Sequence, residues 1–214
     1  MAMKMLAALL RSLMPRGAVS GSRKRMEMNA SLAARAQMAR HAKLHLGCGN
    51  HIIEGWANID MAGPDEVIKW DLSRPLPVES ESVRHIYSEH FIEHISLDQA
   101  TGLLGECRRV LTPGGVLRVS TPDLRKLIDV YLAGRLSEFH DVGWSPATPC
   151  RLLNEGMRSW GHQFLYDADE LKRILETCGF GKITQVRWRE SSHQELRELE
   201  CRPFHDEIIL EAVK

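Results

Sequence analysis

Short stretches with strand character alternate with helical stretches along most of this 214-residue chain, and that alternation restricts the fold more than any other feature. Leu44-His45-Leu46 runs into Gly47-Cys48-Gly49-Asn50, which reads as a strand followed by a glycine turn. Residues 56–60, 67–70 and 84–88 read as three further strands, the second and third of the chain ending at the acids Asp60 and Asp71. A helix is predicted over 97–111, because Leu103, Leu104, Cys107, Val110 and Leu111 share one face. The turn Thr112-Pro113-Gly114-Gly115 then launches a strand over 116–120, and Thr121-Pro122-Asp123 opens another helix. Helices are also expected at 29–41 and at 169–178, the latter closed by Gly179. Two strands near 182–188 and 206–213 flank a polar segment and suit an antiparallel hairpin. The expected fold is α/β and Rossmann-like: a mostly parallel seven-stranded sheet with helices on both faces and a C-terminal antiparallel hairpin.

The charge total is balanced, 28 Lys+Arg against 28 Asp+Glu, but its distribution is not. Residues 1–43 hold nine Lys/Arg and the single acid Glu27, which leaves the rest of the chain acidic. Residues 1–28 are therefore taken as a basic arm and 29–214 as one domain, with 136–165 an irregular insertion on the substrate side. The arm reads as a solvated, mobile extension; its apolar stripe of Met3, Leu6, Leu10, Leu13 and Met14 also allows peripheral contact with anionic lipid. No nucleic-acid partner is expected for an acidic body, since phosphate binding needs clustered cations. The longest apolar run, 5–10, is too short to span a bilayer. Five cysteines without a CxxC pair point to a reducing, cytoplasmic setting.

A glycine turn at a strand's carboxyl end admits a ligand close to the backbone, because no Cβ stands at Gly47 or Gly49. Asp60, ending the next strand, suits the two hydroxyls of a ribose, and Asp71, ending the third, suits an adenine amine. A dinucleotide fingerprint is disfavoured: the third glycine is replaced by Ile52, and Asp60 follows Gly47 too soon for a crossover helix that could present its N-terminus to a pyrophosphate.

These residues resemble the class I S-adenosylmethionine-dependent methyltransferases, especially small bacterial methyltransferase-domain proteins. The likeness lies in Leu44-His45-Leu46-Gly47-Cys48-Gly49-Asn50, Gly55-Trp56-Ala57-Asn58-Ile59-Asp60, Glu93-His94-Ile95, the stretch 106–115 and Gly161-His162-Gln163-Phe164-Leu165-Tyr166. The resemblance implies S-adenosylmethionine as cofactor. Gly47 and Gly49 would take its methionine part, Asp60 its ribose, and Asp71 with the Leu72 backbone its adenine; Ser88 joins this set from the end of the fourth strand. Two positions depart from the family pattern: His45 stands where many members have an acid, and His51 where they have a third glycine.

His90, His94 and His162 are the candidate catalytic residues, with His90 the best placed to take a proton from a hydroxyl or amine. His90-x-x-Glu93-His94 also matches the HxxEH pattern of inverted zinc peptidases, two histidines on one helical face. A peptidase would leave Gly47, Asp60 and Asp71 unexplained, so no metal is expected. Aromatic residues gather between 139 and 166, where they suit either a substrate wall or a small core. The expected activity is methyl transfer, of the EC 2.1.1 class, to a hydroxyl or amine of a small molecule or sugar-containing metabolite. The alternative is a noncatalytic methyltransferase-fold subunit that binds a partner protein.

Overall fold

In a computed structural model, which describes residues 28–29, 31–202 and 206–214, the predicted strands assemble into one seven-stranded sheet. The basic arm lies outside the described residues, apart from Met28. The strands are β1 (Lys43–Leu46), β2 (Ala57–Asp60), β3 (Ile68–Lys69), β4 (Val83–Glu89), β5 (Leu111–Thr121), β6 (Ile183–Gln185) and β7 (Ile208–Val213), in the order β3-β2-β1-β4-β5-β7-β6. The first five are parallel; β7 runs antiparallel to β5, and β6 antiparallel to β7. The mostly parallel Rossmann-like sheet with an antiparallel C-terminal pair thus forms as the sequence predicts. β5 begins earlier than expected, at Leu111, which pairs with Val83; Thr112–Gly115 then bulge out before Val116 pairs with His85.

One face of the sheet is apolar. Leu44, Leu46, Ile59, Ile86, Leu117 and Val119 pack there with the helix at 31–38 (α1), with α2 (Leu97–Val110) and with α5 (Ala168–Thr177) in the main core. α2 starts cleanly because Ser96 and Gln99 form a capping box. A smaller core joins α3 (Leu124–Ala133) to α4 (Pro149–Arg158) through Leu127, Val130, Phe139 and Leu152. α4 lies inside the segment read as irregular; Thr148 caps it, Pro149 occupies its first turn, and the short span and polar content mask its period in the sequence. Asp123 caps α3, so Pro122 precedes the helix rather than entering it.

The opposite face carries polar groups and is covered differently. His45, Asn58, Tyr87, Arg118 and Glu211 alternate with the apolar set along their strands and are all buried. The segment 187–200 lies over this face, with Leu196 packed on Trp56, Tyr87 and Val116. Arg118 anchors it: its guanidinium donates to Glu200 Oε1 (2.6 Å), Glu211 Oε1 (2.7 Å) and the Glu190 carbonyl (2.8 Å). Burial opposes the charged form of Arg118, but the two carboxylates outweigh it and raise its pKa further.

Removing one partner of a buried ion network strands the others. Arg118→Met should therefore destabilise the protein by roughly 3–5 kcal/mol in urea unfolding, and neutralising Glu200 and Glu211 to Gln in the same chain should recover much of that loss.

Candidate functional site

The site is built around the end of β4, where consecutive residues look into different spaces. Glu89 is the last residue of the strand, and His90 follows with φ of 49°, a left-handed backbone that few side chains adopt. The His90 N–H donates to the Ser120 carbonyl at 3.0 Å, which fixes the turn. As a result Glu89 lines one cavity and His90 lines another, with Arg202 on the wall of both.

The first cavity, about 530 Å³, lies over the β1 turn and is walled by His45, Gly47, Gly49, His51, Glu89 and Cys201 among others. Gly47 (φ 68°) has no room for a side chain, because a Cβ would sit 2.3 Å from the Phe91 ring. Gly49 (φ 52°) is open, with nothing within 4 Å of the place its Cβ would take. Its N–H donates to Asp60 Oδ2 at 2.9 Å, while Ala62 N–H donates to Oδ1 at 3.0 Å. Asp60 is thus locked against the glycine turn, with a lone pair still available on each oxygen; like Asp71 and Leu72 it lines neither cavity. Asp71 is held in a local turn, accepting from the Ser73 N–H and hydroxyl, and these bonds lower its pKa. Leu72 is buried in the main core beside it. Ser88 points to the apolar face, 3% exposed; its hydroxyl makes no hydrogen bond among the described residues, and it lines neither cavity.

The place of the usual acid on β1 is taken by a neutral imidazole. His45 is buried, bonds Asn58 Oδ1 at 3.0 Å, and burial pulls its pKa down to about 4. The carboxylate of this cavity comes instead from Glu89, which sequence reasoning passed over although it stands in the Ser88-Glu89-His90 run. Burial opposes its ionisation, but the N–H groups of Arg202 and Cys201 outweigh it, so its carboxyl titrates below the usual range. Beside it burial, reinforced by Glu89, pushes the Cys201 thiol up to about 11, so the thiol keeps its proton and donates to Glu89 Oε2 at 3.2 Å.

The second cavity, about 410 Å³, brings all three predicted histidines together with Glu93, Trp144 and Trp160. Ile92–His94 is a single 3-10 turn, so His90 and His94 do not share a helical face, and the geometry of the zinc-peptidase pattern is absent. Glu93 is fully buried at the centre of the group. Its Oε2 accepts from the Thr121 hydroxyl at 3.1 Å, and its Oε1 lies 3.4 Å from His90 Nδ1 and 3.8 Å from His94 Nε2. Burial disfavours the Glu93 carboxylate, yet His90 and His94 outweigh it and its pKa falls; burial likewise lowers the pKa of His94, against the pull of Glu93. His162 arrives from the far end of the insertion because the Gln163 amide donates to the Glu93 carbonyl at 2.7 Å and the Gln163 side chain to the His94 carbonyl at 2.7 Å. The aromatic stretch divides. Phe139, Trp144 and Trp160 line the cavity, with the two indoles nearly perpendicular at 5.3 Å, whereas Phe164 and Tyr166 belong to the main core.

Residues 56–119 match the family model for a methyltransferase domain. Two solved structures share the architecture: a SAM-dependent methyltransferase from Archaeoglobus fulgidus (15% identity, TM-score 0.51, 86% of this chain and 94% of that one) and an S-adenosylmethionine-dependent methyltransferase from Mesorhizobium loti (18%, 0.50, 85% and 96%). No curated protein matches the chain. The chain has the class I methyltransferase fold. S-adenosylmethionine is the cofactor of that fold family. The residues of the first cavity fit it: an open glycine backbone, a buried His51 Nδ1 that makes no hydrogen bond among the described residues, and the Glu89 carboxylate in the wall, with Asp60 bonded to the Gly49 N–H of the same turn.

In this methyltransferase fold His45 also ties stability to pH. The folded state binds its proton at lower pH than the unfolded chain, so the contribution is complete above the usual value of 6.5 and is lost as pH falls toward 4. Urea unfolding should show on the order of 3 kcal/mol of this loss in the wild type and a visibly flatter pH dependence in His45→Gln; parallel curves would refute the assignment.

Proposed function

We propose that the protein transfers a methyl group from S-adenosylmethionine to a hydroxyl or amine of a small molecule or sugar-containing metabolite. The observation that carries this reading is the adjacency of the two cavities at the end of β4, one suited to the donor and one to the acceptor, with Glu89 and His90 back to back between them. The bound cofactor supplies an electrophilic sulfonium methyl. In such a transfer an acceptor lone pair would form the new bond to that carbon as the carbon–sulfur bond's electron pair returned to sulfur, and the acceptor would lose its proton. Glu89 would hold the donor by its ammonium and Asp60 by its ribose, with Asp71 and the Leu72 backbone taking the adenine. His90 stands on the acceptor side to receive the proton. Trp144 and Trp160 present apolar faces to the acceptor and displace water from it.

An acidic body and an aromatic cavity support a small acceptor over a nucleic acid. Five cysteines without a disulfide support a cytoplasmic setting, and among the described residues no helix is long and apolar enough to cross a membrane. A noncatalytic partner-binding subunit would leave the histidine-lined cavity without a use.

Calorimetry should show S-adenosylmethionine binding the wild type while NAD does not, and Asp60→Ala should weaken that binding by about 2 kcal/mol, close to thirtyfold. Undiminished affinity in Asp60→Ala would remove Asp60 from the ribose. With a hydroxylated or amine acceptor that yields S-adenosylhomocysteine, His90→Ala should cut turnover by roughly 10²–10⁴-fold and leave cofactor affinity intact, whereas full turnover would exclude His90 as the base.

A further inference from the structure

We propose that Glu93, His94 and His162 form a binding site for one divalent first-row transition-metal ion, such as Zn²⁺, Mn²⁺ or Co²⁺, on the floor of the acceptor cavity, where the ion would coordinate a hydroxyl oxygen of the acceptor. No metal was expected from the sequence, whose HxxEH pattern suggests only His90 and His94 as a pair. The structure gathers a different set: one carboxylate oxygen and one nitrogen from each of the two imidazoles lie within 4.8 Å of one another. Around an ion with bonds of about 2.1 Å, ligand atoms stand roughly 3–4 Å apart, so small rotations of the half-buried His94 and His162 rings complete the site while Glu93 stays fixed.

Three further observations single out this cluster. Glu93 is buried with no water-exposed surface, and its Oε1, 3.4 Å from His90 Nδ1 and 3.8 Å from His94 Nε2, has only these long imidazole contacts, so a buried anionic oxygen faces the cluster. His162 Nδ1 donates to the Gly156 carbonyl at 2.8 Å, so the tautomer that keeps this bond carries its lone pair on Nε2; this is the backbone support that metal-bound histidines ordinarily have. Glu93 Oε2 is oriented by the Thr121 hydroxyl, a second outer contact of the same kind. Two imidazoles and one carboxylate suit first-row transition ions better than Mg²⁺ or Ca²⁺, and three protein ligands leave positions open toward the cavity. A second group of possible ligands, His51, Glu89 and Cys201, lies in the cofactor cleft, but there Glu89 is already bonded by the backbone of 201–202.

The ion would lower the pKa of a coordinated hydroxyl, easing loss of the same proton that His90 is proposed to receive, and so would favour oxygen acceptors over amines. That consequence rests on the methyl-transfer reading, whereas metal binding itself does not. Co²⁺ and Zn²⁺ titrated into the metal-free full-length protein should bind with one equivalent, the Co²⁺ form showing visible ligand-field absorption. His162→Ala and Glu93→Gln should each weaken binding at least tenfold, and His162→Ala decides the matter if Glu93→Gln fails to fold. Absence of saturable binding of Zn²⁺, Mn²⁺ and Co²⁺ to the wild type, or unchanged binding in His162→Ala, overturns the site. Binding lost in Cys201→Ser but kept in His162→Ala would place the ion in the cofactor cleft and overturn it equally. S-adenosylmethionine affinity measured on the same metal-free protein separates the two readings: loss of the metal site with cofactor binding retained removes this inference alone.

Discussion

The buried guanidinium of Arg118 ties the covering segment and β7 to the middle of the sheet, beside the small apolar cluster around Leu196. It stands in the middle of β5 on the polar face of the sheet and reaches Glu211 on β7, Glu200 at the end of the covering segment and two backbone carbonyls of that segment, at Glu190 and Arg187. A charge enclosed this fully is tolerated only when its donors are satisfied, so the 187–200 segment cannot leave the sheet without stripping Arg118 of the Glu200 carboxylate and two carbonyl acceptors. The same segment runs on into Cys201 and Arg202, whose N–H groups close over Glu89. The wall of the first cavity is thereby attached to the sheet interior, with Glu89 held by the covering segment and Asp60 held separately by the glycine turn.

At the end of β4 a single turn of backbone separates two kinds of chemistry. Strand alternation puts Glu89 on the polar face with His45 and Tyr87; the left-handed conformation of His90 breaks that alternation and sends the next side chain to the other cavity. The 3-10 turn Ile92–His94 then places Glu93 inward and His94 beside His162. Four ionisable groups, His90, Glu93, His94 and His162, thus line one cavity without any long helix to carry them. A strained residue at this point is in keeping with the general habit of active sites to store backbone strain where orientation matters most.

The sheet was legible because its signals are local. Each parallel strand is a short run closed by a turn or an acid, and α2 announces itself by apolar residues at a 3.6-residue period. The glycine turn and Asp60 were legible for the same reason, being one strand and one turn each. What the sequence hides is long-range pairing: nothing near Arg118 indicates that its partners lie 82 and 93 positions away, and nothing near His94 indicates His162. The place of Glu89 in the cavity wall was missed because a charged residue inside a strand end ordinarily reads as an edge or a solvated face, and only its burial against 201–202 shows otherwise. Ser88 shows the converse case, since its position at a strand end gave no sign of which face it would point to.

The position of β7 between β5 and β6 shapes how the chain reaches this structure. Leu117 pairs with Ala212 and Thr121 with Ile208, contacts that join residues almost a hundred positions apart, whereas β1 to β5 pair after short excursions. Closing a loop of that length carries a high entropic cost before any contact repays it, so the insertion of β7 belongs to the slow part of folding. Until it happens, the outer edge of β5 is an open ladder of unpaired N–H and C=O groups beside apolar Leu117 and Val119, a template for strands from other chains. The aggregation hazard of this protein during synthesis or refolding is therefore concentrated on one strand edge, and it ends when residues 208–213 arrive to cover it.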